Sequence, residues 1–523
     1  MAVMASLLLS HICLPRSHAL AGEATPLESG LAQIDDVDLK RHVTTLASDA
    51  LEGRQAGTRG GKAALAYLRS ELKKIREAHR LPAEQIQEFN RECQNLLVVI
   101  PGSDEKRRHE VIVIGAHYDH VGYGNPTNSH GPFGQIHNGA DDNASGTSAL
   151  LELIQAFASQ PSPPPRTMMF AFWDGEEAGL LGSKHWVAHP TIPLQQLKFV
   201  LNIDMLGRLR DGRVVTGGWR SSPGLRLFLA SHNVTNDLRL AYQPRVNADS
   251  DHYPFYAAKI PAVHLDTDKH DDYHRPSDDA EKINWVGLHR MTEFAYRIAL
   301  DAATIADVPG FRTQALTEPT PAWMTVRPAT EAPIRLGLNW DLEAAKKNII
   351  RISHVTAGMP AANAGLRPGD RITRLGPWEN GTFEDLKTSI QIVKNPVAIR
   401  VERVGVDNPL EINAMLAGSP VRLGGSWIDD PALPDCVVMT HVVADSPAAR
   451  AGIAAGDVIM SMGGRSIPSP DALKSRVAEE SGPFEFRIER QGCIRDVTVD
   501  LFDRPTHSVA KTATTKAADP STK

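Results

Sequence analysis

The chain has 523 residues, too long for one ordinary domain and enough for three or four. Hydrophobic residues make up 42% and charged residues 23%, the balance of a globular protein. A net charge of −6 and a pI near 6.4 give no footprint for nucleic acid or an anionic membrane surface.

Residues 1–21 read as a secretory signal peptide. An apolar stretch from Ala2 to Leu14, broken by Ser10 and His11, leads to the small-x-small site Ala19-Leu-Ala21. The stretch is too short to span a bilayer, and no Lys or Arg precedes it. Export to the periplasm or the medium is expected, with no transmembrane span in the mature chain. Cys13 lacks a small residue before it, so no lipid anchor is expected there. Three cysteines follow: Cys93, Cys436 and Cys493. They form no CxxC pair, which excludes a thiolate metal site. Cys436 and Cys493 either pair or are separately buried thiols.

Residues 35–305 alternate apolar strands with amphipathic helices. Gly61 to Glu77 reads as a helix with Leu65, Leu68, Leu72 and Ile75 on one face. Strands are predicted at 95–100, 111–115, 168–173 and 199–203, and helices at 146–159 and 285–303. This alternation predicts an α/β domain, a mixed and mostly parallel sheet between helices, with the site at the strand C-termini. Residues 306–333, with five prolines, read as a linker. A Thr/Lys/Ala/Ser-rich tail, 504–523, reads as disordered. Between linker and tail an internal repeat runs in an ungapped register of 87 residues. Arg335-Leu-Gly337 matches Arg422-Leu-Gly424, Pro360-Ala-Ala-Asn-Ala-Gly365 matches Pro447-Ala-Ala-Arg-Ala-Gly452, and Gly369-Asp370 matches Gly456-Asp457.

Five short segments carry the chemistry: Gly115-Ala-His117-Tyr-Asp119-His120, Asn138-Gly-Ala-Asp-Asp142-Asn143, Trp173-Asp-Gly-Glu176-Glu177, Asn202-Ile-Asp204 and Asp271-Asp-Tyr273-His274. Each alone is weak. His117 and Asp119, two residues apart in extended chain, face the same way, so His117 reads as a ligand and Asp119 as the group holding its other ring nitrogen. Asp142 has two oxygens with which to bridge two cations. Of the adjacent pair, Glu177 is assigned to metal and Glu176 to a water. Asp204 ends an apolar strand, where a carboxylate is costly unless paired or metal-bound. His274 sits in an acidic loop. Five N/O ligands without thiolate suit zinc, with cobalt or manganese as substitutes. A shared carboxylate sets two metals roughly 3.5–4 Å apart.

This ordered set resembles the dizinc aminopeptidases of the bacterial leucyl-aminopeptidase type, the clan MH zinc peptidases that include glutamate carboxypeptidase and glutaminyl cyclases. The resemblance covers residues 35–305. It implies two Zn²⁺, one held by His117 and Asp204, the other by Glu177 and His274, with Asp142 bridging and the Asp142–Asn143 peptide cis. It implies Glu176 as general base and Tyr273 as an oxyanion-stabilising group. The substrates implied are peptides, cleaved at the N-terminus. Rival readings are a carboxypeptidase or dipeptidase, for which Arg208, Arg220 or Arg275 would grip the substrate carboxylate, a glutaminyl cyclase, and an adaptor with an inactive peptidase fold. The repeats, 334–418 and 421–503, resemble bacterial PDZ domains, small and β-rich. Leu336, Gly337 and Leu338 match the loop that cradles a peptide C-terminus. Leu423 and Gly424 match it in the second copy, where Gly425 departs from the pattern.

Overall fold

A computed structural model describes residues 25–90, 92–233, 237–325, 331–420, 422–479 and 482–500. The signal peptide and the tail read from the sequence lie outside the described residues. Among these, no helix is long and apolar enough to cross a membrane.

The N-terminal domain is built on eight strands: β1 (Gln85–Phe89), β2 (Cys93–Ile100), β3 (Val111–His117), β4 (Thr167–Trp173), β5 (Leu197–Ile203), β6 (Arg213–Gly217), β7 (Arg239–Tyr242) and β8 (Ala262–Asp266). Their order is β1-β2-β4-β3-β5-β8-β6-β7. The centre β4-β3-β5-β8 is parallel, while β1–β2, β2–β4 and β6–β8 are antiparallel. Every residue of β3 and β4 is buried, as expected of strands covered on both faces. Helices of this domain are α1 (Pro26–Leu31), α2 (Asp36–Leu46), α3 (Arg59–His79), α4 (Gly146–Ala158), α5 (Leu181–Ala188), α6 (Leu225–His232), α7 (His252–Ala257) and α8 (Trp285–Thr304). Ile112, Ile114, Met168 and Phe170 point into one core with α2, α3, α4 and α8. The alternate residues Val111, Val113, Met169 and Ala171 pack on the other face, against Trp186 of α5 and Phe255 of α7.

Two β-rich modules follow. The first has β9 (Leu338–Trp340), α9 (Leu342–Ala345), β10 (Ile352–Val355), α10 (Pro360–Asn363), β11 (Arg371–Leu375), β12 (Trp378–Glu379), α11 (Phe383–Ile392), β13 (Val397–Glu402) and β14 (Leu410–Ala414). The second has β15 (Gly425–Ile428), β16 (Val437–Val442), α12 (Pro447–Arg450), β17 (Val458–Met462), β18 (Arg465–Ser466), α13 (Pro470–Glu479), β19 (Phe484–Arg490) and β20 (Cys493–Val499).

The second module is docked on the N-terminal domain. Ala432, Leu433, Cys436, Val438, Val458 and Met460 belong to that domain's main core. Arg220 donates to both oxygens of Asp430, at 2.8 and 3.0 Å, and the Trp323 indole donates to Asp430 at 2.8 Å. Arg226 donates to fully buried Glu489 at 2.6 Å. Main-chain bonds from Leu240 to Gln491 and from Gly224 to Ala432 complete the seam. Cys436 and Cys493 remain free thiols.

Candidate metal centre

His117 closes β3, and Asp204 directly follows the parallel neighbour β5, so both reach one edge of the sheet. Beyond β4, a turn with Gly175 at φ +71° carries Glu176 and Glu177. Asp142 arrives just ahead of α4. There a Cβ on Gly146 would meet Asn143 Oδ1 at 2.3 Å and the Ile203 main-chain oxygen at 2.8 Å, so only glycine fits. The Asp142–Asn143 peptide is cis. His274 comes from the loop after β8.

The five ligand candidates form two clusters joined at Asp142. His117 Nε2 lies 3.2 Å from Asp204 Oδ1 and 3.4 Å from Asp142 Oδ1. His274 Nε2 lies 3.0 Å from Asp142 Oδ2 and 3.0 Å from Glu177 Oε2. Asp142 Oδ2 and His274 Nε2 are buried without a hydrogen-bond partner. Buried carboxylate and imidazole groups that converge with unused capacity fit a cation, and an N/O set without thiolate fits zinc.

Electrostatics follow from this crowding. Against the upward push of burial, His117, His274 and His120 hold Asp142 well below the usual carboxylate range. Burial, with Glu177, Asp251 and Asp204 nearby, drives Glu176 well above it, although His117 opposes.

Asp119 departs from expectation. The nearest partner of His117 Nδ1 is the main-chain oxygen of Asp119, at 3.2 Å, with the carboxylate 3.6 Å away. Asp119 Oδ1 instead accepts the Glu176 N–H at 3.0 Å. The side chain therefore anchors the backbone of Glu176. Tyr273 stacks on His274 with ring centroids 3.9 Å apart, and the Lys269 ammonium lies 4.2 Å from its ring centre. In the modules, Gly337 and Gly424 adopt φ +77° and +86°. Leu336 and Leu423 point into the module cores, and Leu338 opens β9.

Three nearby residues escaped the sequence reading. His120 Nδ1 lies 2.8 Å from Glu177 Oε1, beside the same cluster as His274. Asp278 Oδ2 accepts the N–H groups of Asp141 and Asp142, at 3.0 and 3.1 Å. Arg54, fully buried, donates to the main-chain oxygens of Tyr118, Leu46, Asn138 and Gly139, tying together the segments that carry the ligands. His120 and Asp278 lie within or beside the quoted segments. Arg54 carries no local signal.

Residues 95–299 match the family model described as Peptidase family M28, and residues 438–490 match that of the PDZ domain. The chain contains a peptidase family M28 domain. Leupeptin-inactivating enzyme 1 of Streptomyces exfoliatus is 27% identical to it over 291 residues, 55% of this chain and 60% of the relative. A probable leucine aminopeptidase of Arthroderma otae is 27% identical over 205 residues, 38% of this chain and 51% of the relative. This chain thus spans little more than half the length of these curated relatives. Among solved structures, the LapA aminopeptidase of Legionella pneumophila aligns at 22% identity and TM-score 0.47, covering 57% of this chain and 79% of that one. A Zn-dependent exopeptidase from Parabacteroides distasonis aligns at 18% and 0.43, covering 51% and 98%.

Proposed function

We propose that the M28 domain is a two-zinc aminopeptidase, exported by the leader read at residues 1–21. The observation that carries this is the division of Asp142, one oxygen beside His117 and Asp204, the other beside Glu177 and His274. Zinc held there would polarise the scissile carbonyl and acidify the attacking water. Glu176 takes the proton from that water and returns it to the leaving amine. Asp119 fixes the main chain of Glu176, and Tyr273 supplies a hydroxyl to the developing oxyanion.

Cleavage from the N-terminus is supported by the commitments of two of the three candidate arginines, Arg220 and Arg275. Arg208 is paired with Asp272 at 3.0 Å, Arg220 with Asp430 at 2.8 Å, and Arg275 donates to the main-chain oxygen of His130 at 2.9 Å. A carboxypeptidase needs a cation for the substrate carboxylate; Arg220 and Arg275 have partners already, whereas Arg208 keeps its buried Nη1 without a hydrogen-bond partner. The similarity to relatives that include leucine aminopeptidases supports the same reading.

We further propose that both modules are PDZ domains, arisen by duplication, and that they capture peptide C-termini. β9 and β15 each lie at the end of their sheet, where an extended peptide can add a strand.

The test is hydrolysis of leucine anilide against its N-acetyl form by zinc-loaded protein. Cleavage of the free amine alone is expected. Cleavage of both, or of C-terminally blocked and free peptides only from the carboxyl end, would overturn the aminopeptidase.

A further inference from the structure

A cavity of about 180 Å³ opens in the first module between the Arg335–Leu338 loop and α11. Its wall is drawn from two modules, because Asp445 of the second module lines it together with Lys387 of the first. Asp445 is tied there twice. Its main-chain oxygen accepts from Thr388 Oγ1 at 3.0 Å, and its carboxylate stands 3.3 Å from Lys387 Nζ. Arg450, also of the second module, holds Asp385 at 2.7 Å beside them.

Two polar side chains lining the cavity are buried with unused capacity. Arg335 is 1% exposed. Its Nε and Nη1 are spent on the main-chain oxygens of Ala417, Ile390, Gln391 and Val393, but Nη2 has no partner. Gln391 is 6% exposed, and its Oε1 has no partner. A buried guanidinium N–H calls for an acceptor, best an anionic one. The Lys387 ammonium is shared by Glu384 at 2.8 Å and Asp445 at 3.3 Å, two carboxylates for one cation. Asp445 is the one carboxylate that lines the cavity, and because Glu384 takes the shorter contact to Lys387, Asp445 can meet a basic side chain. In the second module the indole of Trp427 on β15 donates to Pro470 of α13 at 3.0 Å, linking strand and helix across the corresponding position. The counterpart Trp340 lines the open cavity instead.

We infer that the first module is the peptide receptor of the pair, that the second completes its groove with Asp445, and that the occupant is a polypeptide C-terminus with a free carboxylate and a Lys or Arg shortly before it. This rests on the PDZ reading above. Arg335 and the loop N–H groups meet the carboxylate, and Asp445 meets the basic side chain.

The test uses full-length protein and fluorescein-capped hexapeptides ending in valine, whose blocked N-termini resist an aminopeptidase. Lysine or glutamate is set at each of the three positions before the valine, and binding is followed by anisotropy. The best lysine peptide is expected to bind about three- to five-fold tighter than its glutamate counterpart. Its C-terminal amide is expected to bind at least about ten-fold more weakly than the acid. Asp445→Asn keeps the main-chain bond to Thr388 and removes the charge, so it should abolish the lysine preference while leaving the acid-over-amide preference. A lysine preference that survives Asp445→Asn, an amide that binds as well as the acid, or no binding by any of the peptides would overturn the inference. An amide that binds as well as the acid marks failure of the PDZ reading itself, whereas a lysine preference that survives Asp445→Asn marks failure of this inference alone.

Discussion

The two C-terminal modules share an element order and an 87-residue offset, yet one is built into the M28 domain and the other is not. The outward face of the sheet decides this. In the second module Val438 and Val458 turn away from their own core and into the core of the peptidase domain. Their counterparts in the first are Arg351, exposed, and Arg371, paired with Glu402 at 3.0 Å. β17 is buried at four of its five residues, whereas β11 alternates more nearly as a sheet with one wet face does. The same fold therefore serves as a mount or as a presented groove according to a few residues on one face.

The largest effect should come from transplanting the first module's face onto the second. Val438→Arg with Val458→Arg would bury two unpaired charges, at a cost on the order of 5 kcal/mol or more. The PDZ domain should undock, seen as a larger radius of gyration in solution scattering and a second transition in calorimetry. Arg226→Ala leaves Glu489 buried without its cation and should cost about 3–5 kcal/mol in urea denaturation.

Acid should loosen the seam through Glu318. Burial pushes that carboxyl up, but Arg220 and Arg312 prevail and hold it down at about 2, against 4.5 for a free side chain. A depressed folded-state pKa gives stability that is complete above pH 4.5 and lost as pH falls towards 2. Arg220→Met should shrink this acid step in a melting-temperature profile across that window, with Arg312 holding the remainder. The smallest effect belongs to the first module, where Arg351→Ala should change stability by less than about 0.5 kcal/mol. A larger change would mean that this face is also engaged, and the contrast between the modules would fail.

Much of this was legible in the sequence because the ligands sit in short segments attached to strongly apolar strands. The helix and strand from 146 and 168 begin within a residue of the observed α4 and β4, since continuous burial leaves an unbroken apolar run. β8 was missed although it is central. It is five residues long and carries His264 within it, which masks its apolar pattern. β1 was missed because it is an edge strand with mostly polar residues, Gln85-Ile-Gln-Glu-Phe89. At the site, the five ligand candidates were readable from residue type and order. The role of Asp119 was not, because a main-chain oxygen took the contact expected of its carboxylate. Arg54 was invisible for a related reason: its bonds go to main-chain oxygens, which leave no trace in residue identity. The docking of the second module was written in the 87-residue register, as valines opposite arginines, but reading it required knowing which sheet face points outward.

The most direct test of the account is Glu176→Gln, with bound zinc and leucine anilide turnover measured on the same preparation. Two zinc ions per chain, retained in the variant, with kcat lower by about 10²–10⁴-fold, is the predicted result. Turnover close to that of the unaltered protein, or a chain that binds no more than one zinc, would contradict it.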